Sequence, residues 1–264
     1  MSAFETRPRI TLNEMWQQLD AIWIAMDLDR SRSERRLADY YNHPVWILNG
    51  IFTATDPVSV RHRLAIAKWV ASHGVRRIAD FGGGSGSLAR AIAEASPDTR
   101  VDIIEPYPSQ ICRHLTERCP RVYWLGALET DYDGVISQDV LEHVEDPVGT
   151  TARVVGALRD GGHAIFANCF YPVIRCHLPE TFFLRFTFDK VVQPLGLSFR
   201  YQIAEAAHVR VYRKQEIDMP AQQALATVRR RESVARFVGP TLNAGMAIAL
   251  AIRRAIQGGC NAAN

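Results

Sequence analysis

The stretch Ile78-Ala79-Asp80-Phe81-Gly82-Gly83-Gly84-Ser85-Gly86-Ser87-Leu88 decides the fold. A short apolar run ends in a carboxylate, glycines follow at alternate positions, and a helix-like segment, Leu88 to Ala95, comes at once. This pattern predicts strand, tight glycine loop and helix, the unit from which α/β proteins build nucleotide pockets. Glycine is required because the chain turns at dihedrals closed to other residues and because a side chain there would collide with a ligand.

The glycine spacing alone leaves the nucleotide open. A dinucleotide frame, Gly-x-Gly-x-x-Gly/Ala, fits from Gly84 through Gly86 to Ala89, but taken from Gly82 its third place is Ser87. Asp80 tips the balance: a carboxylate at the strand end repels a pyrophosphate and holds an amino group. The pattern Asp80-x-Gly82-x-Gly84-x-Gly86 resembles motif I of the class I S-adenosylmethionine (SAM) methyltransferases, whose ligand carries a sulfonium and an amino acid but no phosphate. A second strand, Arg100 to Ile104, ends in Glu105, nineteen residues past Gly86. Nucleotide folds grip ribose hydroxyls with a carboxylate about 20 residues on. A third strand is expected over Val122–Leu128.

Further on, Asp139-Val-Leu-Glu142-His143-Val-Glu-Asp146-Pro147, followed by Leu158-Arg-Asp-Gly161-Gly162, closely resembles the small-molecule methyltransferases of the ubiquinone-pathway type. The resemblance runs from about Ile78 to Asn168. It implies a doubly wound, mostly parallel, seven-stranded Rossmann-like sheet with an N-terminal helical lid and a C-terminal helical extension. The expected segments are a lid over residues 1–57, a SAM-binding core over 58–214 with an aromatic acceptor-pocket insertion at about 169–188, and the extension over 215–264. By the same resemblance, cofactor contacts fall on Asp80, Phe81, Gly82, Gly84, Gly86, Glu105, Pro106, Ala127, Leu128 and Gln138, with Ala127 and Leu128 against adenine. Acceptor contacts fall on Tyr40, Tyr41, His43, Trp46, Phe170, Tyr171 and His177.

Methyl transfer from a sulfonium needs mainly a positioned acceptor and, for a hydroxyl, a proton acceptor. His143 is the expected base, since it follows the fourth strand's C-terminal end, where open parallel sheets bind ligands. The rival role is a divalent metal held by Asp139, Glu142 and His143, which one branch of the family implies; a third reading has Glu142 and His143 only bracing the loop. The expectation is SAM-dependent O-methylation of a small molecule, giving S-adenosylhomocysteine, without a metal. A NAD-type dehydrogenase and a non-catalytic SAM-binding relative are the alternatives.

Bulk properties agree. The 264 residues, 47% hydrophobic, suffice for one large core, and a net charge of +3 is too mild to argue for nucleic acid. Five cysteines with no paired metal spacing fit free thiols in a reducing, cytoplasmic compartment. The N-terminus carries Arg7 and Arg9 without an apolar run behind them, and no segment reaches the roughly 18 apolar residues of a membrane span.

Apolar spacing predicts a helix over 12–40, another from Asp56 to about Ser72, and one over 188–195. Leu197–Ile203 and His208–Arg213 read as a closing antiparallel pair. Two C-terminal helices, 221–237 and 242–256, are expected on either side of Gly239-Pro240. The second, with Arg253-Arg254 behind its apolar run, suits core packing or a homodimer better than a membrane surface. Residues 215–264 are expected to be dispensable for cofactor binding.

Overall fold

The computed structural model describes residues 10–261, with side chains to residue 249. Arg7, Arg9 and the side chains of Leu250–Ile252, Arg253, Arg254 and Cys260 lie outside the described residues. Four helices open the chain: α1 (Leu12–Ala25), α2 (Glu34–Tyr41), α3 (Pro44–Thr55) and α4 (Pro57–Ser72). The core then alternates β1 (Arg77–Phe81), α5 (Ser87–Ala95), β2 (Arg100–Ile104), α6 (Gln110–Thr116), β3 (Val122–Leu125), β4 (Tyr132–Gln138), α7 (Pro147–Ala157) and β5 (Leu158–Ala167). It closes with α8 (Phe188–Val192), β6 (Leu197–Ile203), β7 (Ala206–Lys214) and α9 (Ala221–Asn261).

The seven strands form one sheet in the order β3-β2-β1-β4-β5-β7-β6. Strands β1 to β5 pair in parallel, and β7 runs antiparallel to both β5 and β6. The expected doubly wound sheet is therefore present, with one reversed strand near its edge. Its two faces carry separate cores. Ile66, Val70, Ile78, Ile92 and Ile103 fill one under α4 and α5. Val135, Val154, Phe166, Phe188 and Val228 fill the other under α7, α8 and α9.

Several boundaries differ from the sequence reading; β3, for one, ends at Leu125 and not Leu128. The helix expected over 12–40 is broken between α1 and α2: Asp27 takes a left-handed φ of 48°, and Ser33 caps α2 from outside by accepting the Arg36 N–H. Strand β5 begins at Leu158, ahead of the Gly161-Gly162 pair, because Gly161 at φ 72° and a register shift opposite Tyr132–Gly134 let it bulge. Only Phe188–Val192 of the helix expected to Leu195 is α-helical; a 3-10 turn over Gln193–Leu195 follows.

The largest correction is α9, one continuous helix with Pro240 inside it. Proline there removes an N–H donor from the ladder and costs about 3 kcal/mol. Tertiary packing offsets this. Ala224, Val228 and Ala235 are buried, Arg229 bonds Asp146 at 2.7 Å, and Asn243 donates to the Phe182 carbonyl. Gly239 passes so close to Phe183 that a Cβ would lie 2.7 Å from its Cα.

Residues 215–264 thus include part of the core's cover. A chain ending at Lys214 would bare Phe188 and Val192 and lose the burial of Val228 and two alanines, roughly 4 kcal/mol or more. We expect its Tm to fall by about 10 °C. An unchanged Tm in a thermal melt, with cofactor binding kept, would make α9 separable.

Candidate active site

The C-terminal ends of β1, β2, β4 and β5, roofed by α2 and α3, enclose a cavity of about 990 Å³. Its floor is the glycine loop. Gly82, Gly84 and Gly86 all take left-handed φ values, 76°, 50° and 72°. A Cβ on Gly82 would lie 2.3 Å from Val140 Cγ2, and one on Gly86 would lie 2.7 Å from Thr116. At Gly84 nothing lies within 4 Å, so that position faces open space. Gly82 and Gly84 line the cavity; Gly86 is turned into the protein and opens α5.

Asp80 reaches the cavity from the end of β1. It is 3% exposed, and its Oδ2 has no hydrogen-bond partner. Burial and the neighbouring Glu105 raise its pKa to about 7. Glu105 accepts the N–H groups of Gly84 and Tyr107, each at 3.0 Å, and so ties the glycine loop to the turn after β2. Burial raises its pKa as well. Tyr107 stacks on Tyr41 of α2, ring centroids 5.5 Å apart and nearly parallel. Helix α2 thus touches the turn after β2, a contact the sequence reading missed although Tyr107 sits two residues past Glu105.

At the end of β4, Gln138 and the next residue, Asp139, line the cavity. Asp139 holds a φ of 52° and is exposed at the cavity wall. The 3-10 turn Leu141–His143 then presents His143 to the cavity and turns Glu142 inward. Glu142 is fully buried; it accepts the Cys169 N–H at 2.9 Å, and its Oε2 has no partner. Burial, with Asp139 nearby, raises its pKa to about 8.

His143 Nδ1 lies 2.9 Å from the Cys176 carbonyl, which can only accept. Nδ1 therefore carries the proton, and Nε2 keeps its lone pair. His177 repeats the arrangement, with Nδ1 3.1 Å from the Tyr171 carbonyl, and its ring lies 4.9 Å from that of His143. Burial and His177 lower the His143 pKa to about 3, so the imidazole is neutral at working pH. Burial pushes the thiols of Cys169 and Cys176 up to about 11 and about 12, so neither is a ready thiolate nucleophile.

The metal-capable group differs from the one expected. Ligand atoms of Glu142, His143 and His177 lie within 4.8 Å of one another, and Asp139 is not part of that cluster. Several other expected site residues lie off the cavity wall. Phe81 and Leu128 pack on the core beneath the sheet, and Ala127 is exposed to solvent. Tyr40 is fully buried within the lid beside Trp23, and Phe170 packs on Phe188. Pro106, Tyr41, His43, Trp46, Tyr171 and His177 do line the cavity. Of these, His43 also caps α3 through Nδ1, and Trp46 has a buried Nε1 without a partner.

Residues 79–164 match the family model described as a methyltransferase domain. The matched stretch is about a third of the chain and carries the glycine loop, Glu105 and the turn with His143. Such a domain draws its methyl group from SAM, and the residues present fit that group: the unpartnered Asp80 carboxylate suits an ammonium, and the open face of Gly84 leaves room beside it. The match replaces the dinucleotide alternative.

Three solved structures share the fold. The mitomycin 7-O-methyltransferase MmcR is 18% identical, with 78% of this chain and 69% of that one covered at a TM-score of 0.52. The CurJ carbon methyltransferase is 13% identical, with coverage of 77% and 67% and a TM-score of 0.56. A putative O-methyltransferase from Nostoc punctiforme PCC 73102 is 16% identical, with coverage of 76% and 69% and a TM-score of 0.50. No curated protein matches the chain. Oxygen and carbon methyltransferases share this fold, so the fold does not choose the acceptor atom. No helix among the described residues is long and apolar enough to cross a membrane.

Proposed function

We propose that the protein methylates a hydroxyl of a small-molecule acceptor, with His143 as the base. The observation that carries this reading is the fixed tautomer of His143: Nδ1–H is spent on Cys176, and the Nε2 lone pair belongs to a residue of the cavity wall. When bound, SAM supplies an electrophilic methyl on a sulfonium and leaves as neutral S-adenosylhomocysteine. Asp80 holds the ammonium, Glu105 reaches the ribose by exchanging its loop hydrogen bonds, and Gly84 and Gln138 border the cofactor. Tyr41, Trp46, Tyr171 and His177 orient the acceptor and exclude water. His143 takes the hydroxyl proton. A weakly basic imidazole suffices for this, because an oxygen that is gaining a methyl becomes a strong acid.

A second reading is favoured by a specific observation. Glu142 Oε2 is buried without a partner beside two imidazoles whose Nδ1–H groups are both anchored on backbone carbonyls. Carbonyl-anchored imidazoles are typical of metal ligands. A divalent ion held by Glu142, His143 and His177 would acidify the acceptor hydroxyl directly.

Turnover of a metabolite library with SAM, read by mass spectrometry, tests the function. Products methylated at carbon or nitrogen would overturn the hydroxyl reading. SAM binding without any turnover would leave a non-catalytic SAM-binding protein. The described cysteines are free, which fits a reducing, cytoplasmic compartment. The exposed Phe237, Val238, Leu242, Met246 and Ile248 of α9 support a homodimer, which light scattering would detect.

Asp80 makes cofactor affinity depend on pH. Its carboxylate holds the ammonium, but with a pKa of about 7 the free protein protonates it below neutrality. Affinity for SAM should fall about tenfold per unit below pH 7, with a proton released on binding. Asp80→Asn should bind weakly at every pH. The sign for folding is opposite. The native pKa lies above the ordinary 3.8, so the free protein loses stability as pH rises from about 4 to 7. Calorimetry at pH 6 and pH 8 checks the first claim, and equal affinities would refute the Asp80 role.

A further inference from the structure

Two arginines line the cavity, and they are in different situations. Arg32 is paired with Glu180 at 2.6 Å. Arg63, on the second turn of α4, has no carboxylate within 4 Å among the described residues, although Glu34, Asp80, Glu105, Asp139 and Glu145 share the cavity wall with it. Its protein partners are the Thr53 and Ala54 carbonyls at 3.1 and 3.4 Å, the free end of α3. Those two bonds use two of its five N–H groups and leave three for a ligand. A second uncompensated cation lies close by: Arg90 of α5 has a buried Nε with no hydrogen-bond partner. Burial and Arg90 together lower the Arg63 pKa, the mark of a guanidinium short of negative charge. Beside Arg63 in the chain, His62 faces His208 of β7, ring centroids 4.5 Å apart, and both line the cavity.

We propose that Arg63 is the carboxylate-receiving residue of this cavity. The acidic wall, Asp80 with Glu105 and Asp139, suits the cationic groups of the cofactor; Arg63 supplies the opposite charge. A carboxylate can accept from a guanidinium through two oxygens at once, which a backbone carbonyl cannot do. Two sources have this chemistry: the amino-acid carboxylate of SAM, and an acceptor that is itself a carboxylic acid. The inference rests on the methyltransferase reading above and adds to it a residue outside the glycine motif.

The test uses the full chain and the variant Arg63→Gln, whose amide can still donate to Thr53 while its charge is gone. Calorimetry compares SAM with decarboxylated SAM, which keeps the sulfonium and the ammonium. If the cofactor is the source, Arg63→Gln weakens SAM roughly tenfold to a hundredfold, the loss expected for charged hydrogen bonds, and decarboxylated SAM binds wild type and variant alike. If the acceptor is the source, SAM affinity is unchanged. Wild type loaded with S-adenosylhomocysteine then prefers salicylate, 4-hydroxybenzoate or 3,4-dihydroxybenzoate over the matching methyl ester by tenfold or more, and the variant loses that preference. Equal weakening of SAM and its decarboxylated form overturns the proposal, because the effect then does not run through a carboxylate. A variant that matches wild type on every probe also overturns it. Should Arg63→Gln fail to fold, Arg63→Lys carries the same comparison, since it keeps the charge and loses the fork. A wild-type protein that binds no SAM removes the methyltransferase reading and this one together, whereas a silent Arg63→Gln in a SAM-binding protein removes this one alone.

Discussion

Replacing His143 with alanine should lower kcat by roughly 10²–10⁴-fold, the range for loss of a positioned base, with SAM affinity within about twofold of wild type. The asymmetry follows from position. His143 stands in the turn after β4, with its ring against Tyr41, Trp46 and His177, whereas the glycine loop and Glu105 lie over β1 and β2. A base and a metal centre then part company at His177. If His143 acts alone, His177→Ala should change turnover only modestly, and a chelator should do nothing. If Glu142, His143 and His177 hold an ion, His177→Ala should cost as much as His143→Ala, and chelation should silence the enzyme until Mg²⁺ or Zn²⁺ is restored. Single-turnover rates and SAM titrations on the two variants decide between them. Near-wild-type turnover by His143→Ala, indifferent to chelator, would leave the turn as structure only.

What could be read from the chain before its structure was known was what contiguous residues dictate. The β1–glycine loop–α5 unit is local: an apolar run, three glycines that need positive φ, and a helix that starts where they end. The same holds for Pro147 opening α7 and for the β6–β7 hairpin. What could not be read depends on partners far along the chain. Tyr40 and Tyr41 are neighbours on one helix, yet one is buried and the other faces the cavity; the packing of Trp23, Leu28, Cys176 and Leu178 around Tyr40 chooses between them. Pro240 carries a strong local signal for a break, and the contacts of α9 with Phe182, Phe183 and Asp146 override it. Glu142 and His143 are adjacent in sequence, but the third member of their cluster, His177, comes from a segment after β5 that no spacing rule ties to them. Arg63 belongs to a helix legible from its apolar spacing, but nothing in its own neighbourhood announces a missing counter-charge.

Gly84→Val should abolish measurable SAM binding, a loss of at least about a hundredfold, while leaving a folded protein. The reason lies in which way this glycine faces. A Cβ at Gly84 meets nothing within 4 Å, so its new bulk enters the cavity and not the core. The backbone sits at φ 50°, where a β-branched residue is strained by roughly 1–3 kcal/mol, and that is small beside the stability of a domain this size. The Gly84 N–H to Glu105 bond would move with the strain, so the carboxylate proposed for the ribose would be displaced as well. Gly82→Val is the contrasting variant. Its Cβ would lie 2.3 Å from Val140 Cγ2, in the turn that leads from β4 to His143, so it should lower Tm by several degrees and disturb that turn before any ligand space is touched. Melting curves and SAM calorimetry on the pair separate the two. A Gly84→Val protein that binds SAM like wild type would show that the cofactor lies elsewhere in the cavity, and the assignment of Asp80 and Glu105 would fall with it.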